Sequence, residues 1–119
     1  MPQTTIVTIP AEQIEDWASF HRVFREVLGF PDFYGCNMNA WIDCMTDVDD
    51  SESGMSSLCI APGELLMLRI DDAPGFRRRC PEQYDALIAC TAFVNHRRMD
   101  RDAPPVLALM LNGRFSQSR

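Results

Sequence analysis

Asp43 follows Asn39 by four residues, and Thr46 and Asp47 follow Asp43 by three and four. On an α-helix that spacing lines the four side chains along one stripe, which the pattern predicts to look outward. Carboxylate and amide oxygens presented in this way can accept charge-assisted hydrogen bonds from Arg or His of another molecule, as a phosphate would. Immediately upstream, GFPDFYGCN over residues 29–37 reads as a tight aromatic turn. Pro31 fixes its own φ and biases Phe30 towards an extended conformation, while Gly35 is expected to supply a backbone angle that other residues avoid. A polar row beside an aromatic turn makes a docking surface; the competing reading is the ordinary solvent side of an amphipathic helix.

Other chemistry finds little support. No Ser/His/Asp arrangement, no carboxylate pair with reason for a shifted pKa and no glycine-rich phosphate loop is present, so the chain does not read as an enzyme. His21 falls just off an apolar stripe without a second ligand at i+4, which predicts a surface or boundary histidine rather than a metal ligand. Cys36, Cys44, Cys59, Cys80 and Cys90 are odd in number and form no CxxC pair, so they read as reduced thiols. The acidic stretch after Asp47 lacks calcium-loop spacing. No cofactor and no metal are expected. Arg77, Arg78, Arg79, Arg97, Arg98 and Arg101 could form a basic patch, but without interleaved aromatics they read as a solvated face, not a nucleic-acid site.

The elements that must position the row follow from periodicity. Thr4 to Ile9 is rich in β-branched residues and stops at Pro10, predicting a short buried strand. Asp16 can cap a helix whose Trp17, Phe20, Val23, Phe24, Val27 and Leu28 repeat at helical spacing up to Gly29. Asn37 is a fitting N-cap for a helix starting near Met38, with Met38, Trp41, Ile42 and Met45 as its buried stripe. Residues 48–63 hold three acids, four serines and two glycines without periodicity, predicting a polar, flexible loop. Glu64 to Ile70 reads as a second strand, Asp72 opens a short helical turn, and Cys80-Pro81 starts a longer helix with Tyr84, Leu87, Ile88, Thr91 and Val94 facing inward. The arginines near its end suit the helix dipole. Val106 to Leu111 is an apolar run typical of a strand buried on both faces or packed in parallel, and residues 112–119 read as a frayed tail. Strands alternating with helices imply right-handed crossovers and a two-layer α/β domain with a three-stranded parallel sheet.

The string GFPDFYGCNMNAWIDCMTD resembles the signature of the barstar family of small intracellular ribonuclease inhibitors, an LP-x-YYG-x-N-x-DALWD-x-L pattern. Pro31, Tyr34, Gly35, Asn37, Ala40, Asp43, Cys44 and Thr46 match in register. The resemblance implies strand order 1-2-3 with the helices packed on one side, and an inhibitor whose turn and following helix plug a nuclease active site with carboxylates that mimic phosphates. Phe33, Gly35, Asn37, Asn39, Asp43, Thr46 and Asp47 are the partner-binding residues it suggests, with Asp43 at the place of the family's principal inhibitory aspartate. Three positions depart from the pattern: Asn39 replaces a second aspartate, Phe33 a tyrosine, and Val48, at the head of a longer loop, a contacting tryptophan. An interaction module of the same fold with a non-nuclease protein partner is the alternative.

A length of 119 residues suits one domain over 1–119 with a single core. No apolar run approaches the roughly 18 residues of a membrane helix, and MPQTTIVTIP is unlike a signal peptide; the expectation is a cytoplasmic protein, monomeric when free. All eleven basic residues are arginine, in a chain of net charge −6. Residues 1–68 carry two basic and eleven acidic groups, a balance of −9, against nine and six over residues 69–119, a balance of +3. The polar row lies in the acidic half, where a negative field would steer a basic partner, a basic ribonuclease or other basic protein.

Overall fold

The computed structural model describes residues 3–114. Its elements run β1 (Thr4–Thr8), a 3-10 turn (Ala11–Gln13), α1 (Trp17–Leu28), α2 (Met38–Thr46), β2 (Leu65–Ile70), α3 (Ala73–Arg79), α4 (Pro81–Asp100) and β3 (Leu107–Leu111). The three strands form one parallel sheet in the order β1-β2-β3, with Thr4 opposite Leu65 and Leu66 opposite Leu107. This is the α/β architecture that alternation of strands and helices implies.

In β2, Leu66, Leu68 and Ile70 are buried, whereas Leu65 and Met67 are half-buried and Arg69 is exposed. Side chains alternate across a strand, so one sheet face is covered and the other is not. Phe20, Phe24 and Leu28 of α1, Trp41 and Met45 of α2, Phe76 of α3 and Leu87 and Val94 of α4 join the buried strand residues in one core. The asymmetry corrects one expectation and decides another: β1 is not a fully buried strand, since Ile6 is 52% exposed, and β3 is packed in parallel rather than buried on both faces, with Leu111 at the surface. Both are edge strands of a sheet with one covered face, and hydrophobic composition alone does not distinguish an edge from a centre.

Helix ends follow local chemistry. Asp16 Oδ1 accepts from the Ser19 amide at 2.8 Å while Ser19 Oγ accepts from the Asp16 amide at 3.0 Å, a reciprocal cap that satisfies two otherwise unpaired donors. Gly29 ends α1 at φ 68°, a conformation that costs glycine little, and a side chain there would collide with Ser57. On α4 the buried row is Gln83, Leu87, Thr91, Val94 and Arg98. Ile88, expected to face inward, is 40% exposed, because the row passes through two polar residues that apolar periodicity skips. Asn112, expected in the frayed tail, is held: its amide donates to Ile70 O and its carbonyl accepts from the Ala73 amide, each at 2.8 Å. Residues 115–119 of that tail lie outside the described residues.

Candidate docking face

The turn between α1 and α2 is assembled from the inside. Phe30 and Tyr34 are buried, their rings 4.8 Å apart, and the Tyr34 amide donates to Pro31 O at 2.9 Å. The Tyr34 hydroxyl lies 2.6 Å from His21 Nδ1 on α1. His21 is therefore a buried residue and not the surface or boundary histidine expected; its ring sits between Trp17, Phe20 and Tyr34. Burial pushes the imidazole pKa down and the Tyr34 phenol up, so both stay neutral near pH 7 and are joined by a neutral hydrogen bond. Phe33, with neighbours of the turn packed below, is left 75% exposed.

Gly35 is not the residue that takes the unusual backbone angle. Cys36 does, at φ 54°. A Cβ on Gly35 would instead press on the Asn37 amide nitrogen at 3.2 Å, which already donates to Gly35 O at 3.3 Å. Asn37 Oδ1 accepts from the Ala40 amide at 2.8 Å and so caps α2 as its sequence position predicts. Asn37 is itself exposed, with both ends of its side chain engaged in holding the turn against the start of α2.

At about 100° per residue, the outward arc of α2 is narrow. Asn39 and Asp43 are exposed and Asp47 half-buried, while Trp41, Ile42, Cys44, Met45 and Thr46 are all buried. Thr46 thus departs from the outward row: it is 1% exposed, and its hydroxyl donates to Ile42 O at 2.6 Å. It stands about 60° round the helix from Asp43, on the side that α4 covers. Cys44 is inert as a thiol, its pKa pushed up to about 11 by burial and then by the neighbouring Asp43 and Asp47 charges.

Two adjacent arginines of α4 reach α2, and spacing within the sequence gives no sign of either contact. Arg98 is buried, donates to Thr46 O and Pro104 O at 2.8 Å each, and pairs both its terminal nitrogens with the two Asp49 oxygens at 2.8 and 2.7 Å. It caps the C-terminus of α2 with a cation and ties down the start of the following loop. Arg97 Nη1 lies 3.1 Å from Asp43 Oδ1 at the surface.

The loop after α2 has no regular structure but is well connected. Val48 is buried, and its carbonyl accepts from the Ile60 amide at 3.0 Å. Ser56 Oγ and the Leu58 amide donate to Leu28 O at 2.7 and 3.0 Å, and the Ser57 amide to Gly29 O at 2.8 Å, so the loop satisfies carbonyls left open where α1 ends. A recess of about 260 Å³ beside the turn is lined by Trp17, His21, Cys36, Asn37 and Met38. Among the described residues no three His, Cys, Asp or Glu side chains gather as a metal site would require.

The chain belongs to the barstar family: the family model described as "Barstar (barnase inhibitor)" matches residues 4–109. That span takes in β1, β2, all four helices, the face on α2 and the first part of β3, and the family is one of inhibitors, not of catalysts. No curated protein matches the chain significantly.

Proposed function

We propose that this protein binds a ribonuclease and blocks its active site with the turn and α2, Asp43 entering a subsite that otherwise holds a phosphate. The observation that carries this reading is the narrow outward arc of α2. Within a family described as barnase inhibitors, its polar members Asn39 and Asp43 stand one turn apart on a helix fixed at both ends, beside the exposed Phe33 ring. A helix already held in its binding conformation loses little freedom on association. Binding needs no chemistry from this chain, only a carboxylate that meets Arg or His donors as they are displaced from solvent. Asn39 offers an acceptor without charge, and Asp47 a second carboxylate at the rim. We place the protein in the cytoplasm, where a chain with five free cysteines keeps them reduced.

The experiment is a titration of the wild type, Asp43→Ala and Asn39→Asp against barnase. Asp43→Ala is expected to weaken binding by about 2 kcal/mol or more, a loss that includes the penalty on the partner's orphaned cation. Asn39→Asp is expected to strengthen it, by adding a second charge where the partner offers a second cation. A loss below about 0.5 kcal/mol for Asp43→Ala would move the interface elsewhere. A barstar-fold module for a non-nuclease protein is the second reading, and the burial of Val48 favours it: that position contributes nothing to the outer surface.

A further inference from the structure

Asp43 already has a cation. Arg97 supplies the only side-chain hydrogen bond to its carboxylate among the described residues, at 3.1 Å, and the pair stands at the surface with both side chains accessible. The approach of Arg97 is fixed from below, because the next residue, Arg98, is locked by four hydrogen bonds to Thr46 O, Pro104 O and Asp49. Thus the backbone of α4 is held against α2 at the height of Asp43, and the guanidinium needs only its own few torsions to reach the carboxylate.

The pair also stands out in the charge map. Residues 26–68 contain no base, so Asp43 has no basic neighbour in sequence, yet it is paired with a residue 54 positions away. A partner site that holds phosphate presents cations, and a cation approaching Asp43 comes within a few ångströms of Arg97. Like charges brought together in a partly desolvated contact oppose association.

We propose that Arg97 is a specificity-determining residue of the docking face: it acts as an intramolecular counter-ion that holds Asp43 in the free protein and that a partner's cation must displace. This rests on the docking reading above. The face then discriminates against sites offering only a weak or distant cation, since these cannot outcompete an arginine that is always present. A partner able to take Asp43 must bring a cation placed for charge-assisted bonding.

The test compares barnase binding by the wild type, Arg97→Ala, Arg97→Lys, Asp43→Ala and the Arg97→Ala/Asp43→Ala double variant. Circular dichroism confirms that each is folded, as expected for changes at exposed side chains. Arg97→Ala should tighten binding about three- to tenfold, and the gain should vanish in the Asp43→Ala background. Arg97→Lys should keep most of the wild-type attenuation. Binding of Arg97→Ala where the wild type shows none supports the proposal equally. Unchanged or weaker binding by Arg97→Ala, with Asp43→Ala still damaging, overturns the counter-ion role and leaves the docking face intact. Indifference of barnase to both substitutions removes the docking reading itself and this inference with it. The pairing is also read without a partner: the guanidinium NMR signals of Arg97 should shift on Asp43→Asn, and their failure to move overturns the proposal whatever barnase does.

Discussion

Arg97 and Arg98 are neighbours in α4 and both reach α2, but they meet two differently built regions of it. Arg98 meets the C-terminal end, where Thr46 and Val48 are buried and Asp49 has little exposure. Arg97 meets the outer arc, where Asp43 and Asn39 face water. The difference is one of dielectric. In the sheltered region a charge must be paired in full, and Arg98 has three carbonyl or carboxylate partners to do so; at the surface one bond suffices and water completes the shell. Along a nine-residue helix, then, the C-terminal end is fixed to the core while the outer arc is left facing water.

The largest effect is expected at Arg98. Arg98→Ala leaves Asp49 sheltered without its partner and removes the cation from the last carbonyls of α2, so it should cost about 3 kcal/mol of stability in chemical denaturation. Arg97→Ala, one residue away, should cost less than about 1 kcal/mol, since an exposed pair is screened by solvent. Equal losses would show that the two regions do not differ as described. At the other end of α2, Asn37→Ala removes the cap on the Ala40 amide and should cost about 1 kcal/mol, with reduced protection of the first-turn amides in hydrogen exchange.

The smallest effect tests the turn beside the outer arc. His21 is depressed below the usual imidazole value of 6.5, so the unfolded chain takes up its proton first on acidification. The stability that its neutral form contributes is complete above that value and is lost as pH falls through the folded-state pKa. A stability curve measured from pH 8 to 5 should be flat down to about 6.5 and then decline, and the decline attributable to this group should be absent in His21→Asn. A wild-type curve that coincides in shape with that of the variant would show that the buried ring is not what titrates.

Much of this was legible in the chain. Caps at Asp16 and Asn37, the stop at Gly29 and the stripe through Trp41 and Met45 are local statements: a side chain bonds an amide three residues on, or apolar groups recur with the helix period. The exposure of Asn39 and Asp43 follows from the same stripe. Thr46 did not follow, because it sits at the border of the arc, where the position of a second helix decides between water and protein. His21 and Ile88 differ from the expectation for the same reason, each lying at the margin of its helix's apolar face. Gly35 differs because the sequence says which residue can take a left-handed angle cheaply but not which one the chain requires to take it.

Sequence alone therefore determined the order and type of the elements, the family signature on α2 and the unequal charge of the two halves, all of which depend on residues close together in the chain. Only the tertiary structure decided that the loop closes the carbonyl end of α1, and that Asp43 and Asp49 are met by Arg97 and Arg98. Those contacts join residues 28 to 54 positions apart, as Ser56 with Leu28 and Arg97 with Asp43, and carry no periodic signal. They are set by how helices pack on one face of a sheet, and a pairing of charges across that packing exists only once the layers have come together.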